Sequence, residues 1–115
     1  AAQAEILLSE IPEKNGRRLV VRTFSERDLN FLKLLAQKLT RQSATVALLG
    51  TTTPRPLVVF AQSAGQPYDM AALLRETLSK IGGRGGGSKD LAQGGAPSSA
   101  GLTEAVESTA QSIVQ

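Results

Sequence analysis

Apolar positions in this chain recur at spacings that fix the type of each element. Residues 19–24 (L-V-V-R-T-F) are β-branched and aromatic and predict a strand. Leu29, Leu32, Leu35, Ala36 and Leu39 then recur at helical spacing, with Asn30, Lys33, Gln37 and Arg41 opposite. This predicts a helix running to about residue 42, with Ser25, followed by Asp28, as its capping pattern. Residues 44–49 (A-T-V-A-L-L) and 57–61 (L-V-V-F-A) read as strands, the first cut by Gly50 and a T-T-T-P-R-P turn. The first reads as buried, the nearly continuous apolar character of the second calls for cover on both faces, and the turn between them suits a hairpin. Met70, Leu73, Leu74, Leu78 and Ile81 mark a second helix over about 70–80, with Asp69 as its N-cap and Gly82 where a C-terminal glycine belongs. Pro97-Ser98-Ser99 opens a last helix whose stripe is Leu102, Ala105, Val106, Thr109, Ala110 and Ile113. Its small residues allow a close approach to another element. The order of elements predicts an α/β fold: a single small domain with a mixed β-sheet packed by about three helices, and a glycine-rich loop between the second and last helices.

Residues 1–16 read as a lead-in from a preceding helical connector, apolar at Ile6 to Leu8 and closed by an Asn15-Gly16 turn, and 17–115 as the globular domain. The chain opens on Ala1 rather than Met, so a piece of a longer protein is expected. No apolar run approaches the roughly 20 residues of a membrane helix, and no export signal is visible, so a cytoplasmic location without membrane contact is expected.

Composition narrows the chemistry. The 13 Lys and Arg against 10 Asp and Glu give a net charge of +3, which permits a polyanionic partner without demanding one. Arg17, Arg18 and Arg22 are locally basic, and Lys33, Lys38 and Arg41 could form a basic rail on the first helix, although a solvated face explains both. With no Cys and no His, the usual zinc sites, catalytic triads and imidazole acid–base schemes are unavailable to this chain alone. Three Phe, one Tyr and no Trp leave few platforms for stacking bases.

The exceptional stretch is I-G-G-R-G-G-G-S-K-D-L-A-Q-G-G-A-P, from 81 to 97, which holds seven of the eleven glycines. Such a run suits a shaped polar loop and suits a helix or strand badly, leaving room only for a short strand at Leu91-Ala92. Two readings stay level. The loop's N–H groups can form an anion-binding concavity, with charge from Arg84 and Lys89; or the loop is a tight structural crossover in which Asp90 and Gln93 satisfy backbone groups. A dinucleotide or triphosphate fingerprint does not fit, because residue 88 is Ser, a helix precedes the glycines, and Lys89 follows Ser88 rather than glycine.

With its flanking helices, G-G-R-G-G-G-S-K-D-L-A-Q-G-G-A-P resembles the signature of the DHH-associated domain, in the version found at the C-terminus of bacterial-type alanyl-tRNA synthetases. The resemblance spans roughly residues 5–115, with 82–97 as its specific part. It implies a non-catalytic module that binds and positions tRNA for aminoacylation and editing in other domains. The implied partners are tRNA, specifically tRNA-Ala, and the rest of the parent chain, with a homodimer or intramolecular docking as the alternative. No cofactor or metal is implied for this fragment, since ATP and zinc or magnesium would belong to absent domains. The implied nucleic-acid-binding residues are Gly82, Gly83, Arg84, Gly85, Gly86, Gly87, Ser88, Lys89, Gln93, Gly94 and Gly95, supported by Lys80 and Arg75. In related DHH phosphoesterases the domain helps hold a nucleotide substrate, and a His usually follows the glycine triplet. Synthetase versions often place Arg there. Ser88 is neither, and the absence of His favours the synthetase branch.

Overall fold

In a computed structural model, residues 13–14, 17–41, 44–53 and 55–114 are described. Among them the chain forms β1 (Glu13–Lys14), β2 (Arg17–Phe24), α1 (Leu29–Thr40), β3 (Thr45–Thr51), β4 (Leu57–Gln62), α2 (Met70–Ser79), β5 (Arg84–Gly87), β6 (Leu91–Gly95) and α3 (Leu102–Val114). The strands make one six-stranded sheet in the order β1-β2-β3-β4-β6-β5. Only β2 and β3 run parallel, joined through α1; the other neighbours are antiparallel. The expected mixed sheet, three helices and β3–β4 hairpin are therefore present. The Ile6 to Leu8 segment and the Asn15-Gly16 turn lie outside the described residues, while Glu13–Lys14 pairs with β2, so the sheet begins inside the segment assigned to the lead-in.

The continuous apolar runs of β3 and β4 are sandwiched, as a strand buried on both faces requires. Val20, Ala47, Leu49, Val59 and Ala61 pack under Leu32, Leu35, Ala36 and Leu39 of α1. Val46, Leu48, Val58 and Phe60 face the other way, against Met70, Leu74 and Leu78 of α2 and Leu102, Val106, Ala110 and Ile113 of α3. Between these two helices, the buried hydroxyls of Thr77 and Thr109 share a hydrogen bond, one donating to the other, and the hydroxyl that accepts donates in turn to a carbonyl of its own helix. The small-residue stripe of α3 is thus consumed in the domain's own core and offers nothing to a second copy.

Tertiary contacts moved several boundaries. Helix α1 starts at Leu29 with Asp28, not Ser25, as N-cap: Asp28 Oδ1 accepts from the Phe31 N–H at 2.8 Å, because Glu26 takes a positive φ of 60° and turns the chain first. The last helix begins at Leu102 rather than at Pro97, since Gly101 has φ +79° and breaks the helical path before it. Gly50 does not cut its strand; it is buried inside β3, and a Cβ there would lie 3.2 Å from Leu102 Cδ2 of α3.

The largest correction concerns the glycine stretch, which is no loop. Residues 84–87 and 91–95 are strands β5 and β6, a hairpin at the sheet's edge. Glycine usually weakens strands because it has no side chain to pack. Here the missing side chain is what the packing uses. Gly85 and Gly94 are register partners, and both face α2. A Cβ on Gly94 would sit 2.6 Å from Leu78 Cδ1 and 2.5 Å from the Arg84 carbonyl oxygen; one on Gly85 would sit 2.7 Å from Leu74 Cδ2. The two leucines lie on bare backbone. Gly82, at φ +74°, turns the chain out of α2 so that the Gly83 N–H donates to the Leu78 carbonyl at 2.8 Å. At the hairpin's other end, Gln62 Nε2 donates to the Tyr68 carbonyl, the Lys89 carbonyl and Asp90 Oδ1, at 2.6, 3.1 and 3.0 Å.

Gly94→Ala is expected to destabilise the domain by about 1–3 kcal/mol, the usual cost of overpacking. Urea denaturation of the wild-type and variant chains measures this, and an unchanged midpoint would contradict the packing described.

Candidate functional site

Register gathers one end of the sheet into a row. Phe24 closes β2 beside Thr51, Thr51 stands opposite Leu57, Leu57 opposite Gly95, and Gly95 opposite Arg84. At the β4–β6–β5 end of this row lies a surface cavity of about 610 Å³, lined by Arg55, Pro56, Leu57, Gly82, Gly83, Arg84, Gly95, Ala96 and Pro97. Two guanidinium-bearing residues thus border one opening, Arg55 from the β3–β4 connection and Arg84 from β5. Arg84 is exposed, and Arg55 is exposed as well.

The connection that carries Arg55 is tied down on both sides. The Thr53 hydroxyl accepts from the Glu26 N–H at 2.7 Å and donates to the Glu26 carboxylate at 3.2 Å, and the Thr53 carbonyl accepts from the Arg27 N–H at 3.1 Å. Thr51 Oγ1 donates to the same carbonyl at 2.9 Å. Beyond Arg55, the Pro56 carbonyl accepts from the Ala96 N–H at 3.1 Å. The clasp with Thr53 is what the left-handed Glu26 serves, since an L-residue adopts that conformation at a cost. Arg27 then lies over the Phe31 ring, 4.9 Å from its centroid, and Phe31 meets Phe24 edge-on at 5.3 Å.

The residues singled out from the sequence divide into four groups. Gly82, Gly83, Arg84 and Gly95 line the cavity, and Lys80 precedes them as the residue capping α2. Gly85 and Gly94 face α2 and serve packing. Gly86 and Gln93 are partners on the opposite face of the sheet. Gly87, Ser88 and Lys89 stand at the far end of the hairpin, where Ser88 Oγ exchanges hydrogen bonds with the backbone of Leu91. The expectation that Arg84 and Lys89 charge one loop is therefore not met: the length of β5, about 10 Å at ~3.3 Å per residue, lies between Arg84 and the turn. Arg75 is exposed on α2, more than a turn before the helix ends.

Arg55 was invisible in the sequence. It sits in a Thr/Pro turn that signals only a hairpin, and no local pattern tells that this turn faces residue 84. Among the described residues there is no cluster of three or more His, Cys, Asp or Glu that could hold a metal, and no helix long and apolar enough to cross a membrane.

The fold is that of a small α/β domain, a mixed sheet packed by helices on both faces. Superposition on the C-Ala domain of Aquifex aeolicus alanyl-tRNA synthetase gives a TM-score of 0.78 at 25% identity, covering 90% of this chain and 96% of that one. A DHH-domain protein described as a member of the s1p family of ribosomal proteins shares the fold, with a TM-score of 0.63 at 16% identity over 99% of this chain and 30% of that one. In sequence, the chain is 35% identical over 104 residues to the alanine–tRNA ligase of Methanothrix thermoacetophila, covering 88% of this chain and 11% of the relative. It is 34% identical over 87 residues to that of Thermus thermophilus, covering 76% and 10%. No family model matches the chain. The chain belongs to the alanyl-tRNA ligase family, as a domain of the C-Ala type. It spans about a tenth of the length of these relatives.

Thr53→Val removes both side-chain hydrogen bonds to Glu26 and is expected to cost about 1 kcal/mol. Amide exchange of Glu26 and Arg27 should quicken with it, while that of the β3–β4 ladder stays unchanged; equal protection of both amides in the variant would dismiss the clasp.

Proposed function

We propose that this chain is a non-catalytic module that holds tRNA-Ala for the aminoacylation and editing centres of its parent alanyl-tRNA ligase, in the cytoplasm where translation runs. Membership of the family supports the kind of partner, and one observation carries the location of contact: Arg55 and Arg84 border the same cavity, floored by glycine backbone. Arginine presents a planar fork of donors that matches phosphate geometry, and backbone without Cβ lets a phosphate approach closely. Sequence adds that no His or Cys is present for imidazole or thiolate catalysis. The other proposed partner is the remainder of the parent chain, which would supply ATP and metal chemistry.

Binding by a few phosphate contacts is weak and salt-dependent. Fluorescence anisotropy with a labelled tRNA-Ala transcript tests the proposal. Arg84→Glu and Arg55→Glu should each weaken binding about tenfold and lower the salt slope by about one per lost phosphate contact. Binding by the wild-type chain that neither substitution weakens would remove the cavity from the interface; no binding even at low salt would end the proposal.

A further inference from the structure

Most glycines of the β5–β6 hairpin have a reason within the fold: Gly82 its positive φ, and Gly83, Gly85 and Gly94 the close contacts a Cβ would violate. Gly86 has neither. Its φ is not positive, and a Cβ added there would meet nothing within 4 Å. It lies in a strand, where any β-branched residue is a better former. The fold does not call for glycine at 86, and what glycine does there is keep a stretch of sheet bare.

That bare stretch is a shelf. Gly86 pairs with Gln93, Gln93 with Val59, and Arg84 with Gly95 and so with Leu57. Val59 and Leu57 belong to the α1-side core, so Arg84, Gly86, Gln93 and Gly95 share that face. Helix α1 packs over β3 and β4, and no described helix lies over this face of β5. The face is about 14 Å long along β6, at ~3.4 Å per residue, and two strands wide at ~4.8 Å spacing, with Leu91 at one end packed against the α1-side core. Gln93 is half-buried, and its side chain takes no hydrogen-bond partner among the described residues. Phe31 turns towards Phe24 of β2, so the opposite flank of α1, which carries Lys33, is the one nearer β6. Cations therefore flank this face on two sides, Lys33 from the side of α1 over β4 and Arg84 at the end of β5. Helix α1 has no acidic residue between Leu29 and Thr40.

From this geometry, and resting on the tRNA-holding reading above, we propose that the shelf seats the minor groove of double-helical RNA. The A-form minor groove is wide and shallow and displays ribose 2′-hydroxyls, so it is met by flat surfaces rather than by inserted side chains. Gly86 supplies flatness. Gln93 supplies an amide that both donates to and accepts from a 2′-hydroxyl. Lys33 and Arg84 reach the phosphates on either side. Single-stranded RNA fits poorly, because it is held by aromatic stacking and the shelf has no aromatic side chain.

The test uses the 115-residue chain with three labelled probes at one ionic strength: the tRNA-Ala transcript, an RNA hairpin duplex and its DNA counterpart. The wild type should bind the RNA duplex more tightly than the DNA. Gly86→Val should keep or raise Tm and weaken RNA binding about tenfold, equivalent to one or two lost hydrogen bonds. Gln93→Ala, at a half-buried amide that no other side chain uses, should narrow the RNA-to-DNA ratio towards one even if Gly86→Val fails to fold. If Arg84→Glu weakens tRNA binding while Gly86→Val and Gln93→Ala do not, the shelf is overturned and the tRNA-holding reading stands. Equal affinity for RNA and DNA duplexes, or single-stranded RNA bound as tightly as duplex, also overturns the shelf. No tRNA binding by the wild type overturns both.

Discussion

Leu74 and Leu78 of α2 rest directly on the backbone of Gly85 and Gly94, and the outer half of the sheet depends on that contact. A pair of facing glycines removes two Cβ atoms from one spot on the sheet, so the helix sits closer than side chains would permit and the leucines still bury their methyls. A glycine hairpin has little else to hold it at a sheet edge, since it contributes almost no side-chain packing of its own. The contact is supported at both ends: Gly82 starts β5 directly out of α2, and Gln62 binds the turn at 88–90 to the start of the same helix. Helix α2 and the hairpin are therefore one unit, and the position of Arg84 follows from it.

The same glycines divide their work between two faces. Towards α2 their lack of side chains is filled by leucine. Towards the α1 side it is left unfilled, because α1 covers only the centre of the sheet. A short helix cannot span six strands, and the strands beyond its reach are those with the fewest side chains to leave exposed. A hairpin of ordinary apolar residues in that place would present a hydrophobic edge prone to unwanted pairing. The bare hairpin avoids this and leaves backbone accessible.

Charge follows the same division. Helix α1 carries Lys33 and Lys38 and no acid, whereas α3 carries Glu104 and Glu107 and no base. The two sides of the sheet thus differ in sign although the net charge is only +3. With arginines from separate elements meeting at one cavity, a polyanion has a preferred side of approach that total charge alone would not reveal.

Element types were legible because they rest on local periodicity: the stripes of α1, α2 and α3, and the double-sided burial of β3 and β4, are written in residues a few positions apart. The identity of the family was legible too, in the glycine-rich motif from 82 to 97. Three features were not. The hairpin was read as a loop because propensity counts glycine against strands, and only the leucines of α2 reverse that judgement. The start of α1 depended on Glu26 binding Thr53, a partner 27 residues away. The cavity needed Arg55 opposite Arg84, which follows from strand register across β3, β4, β6 and β5. By itself, the sequence determined the three helices and the strands β2, β3 and β4, and which face of each helix is apolar, since those are properties of neighbouring residues. Tertiary structure decided which glycines are packed and which left open, and which arginines meet, because both depend on pairings between distant segments that no local pattern encodes.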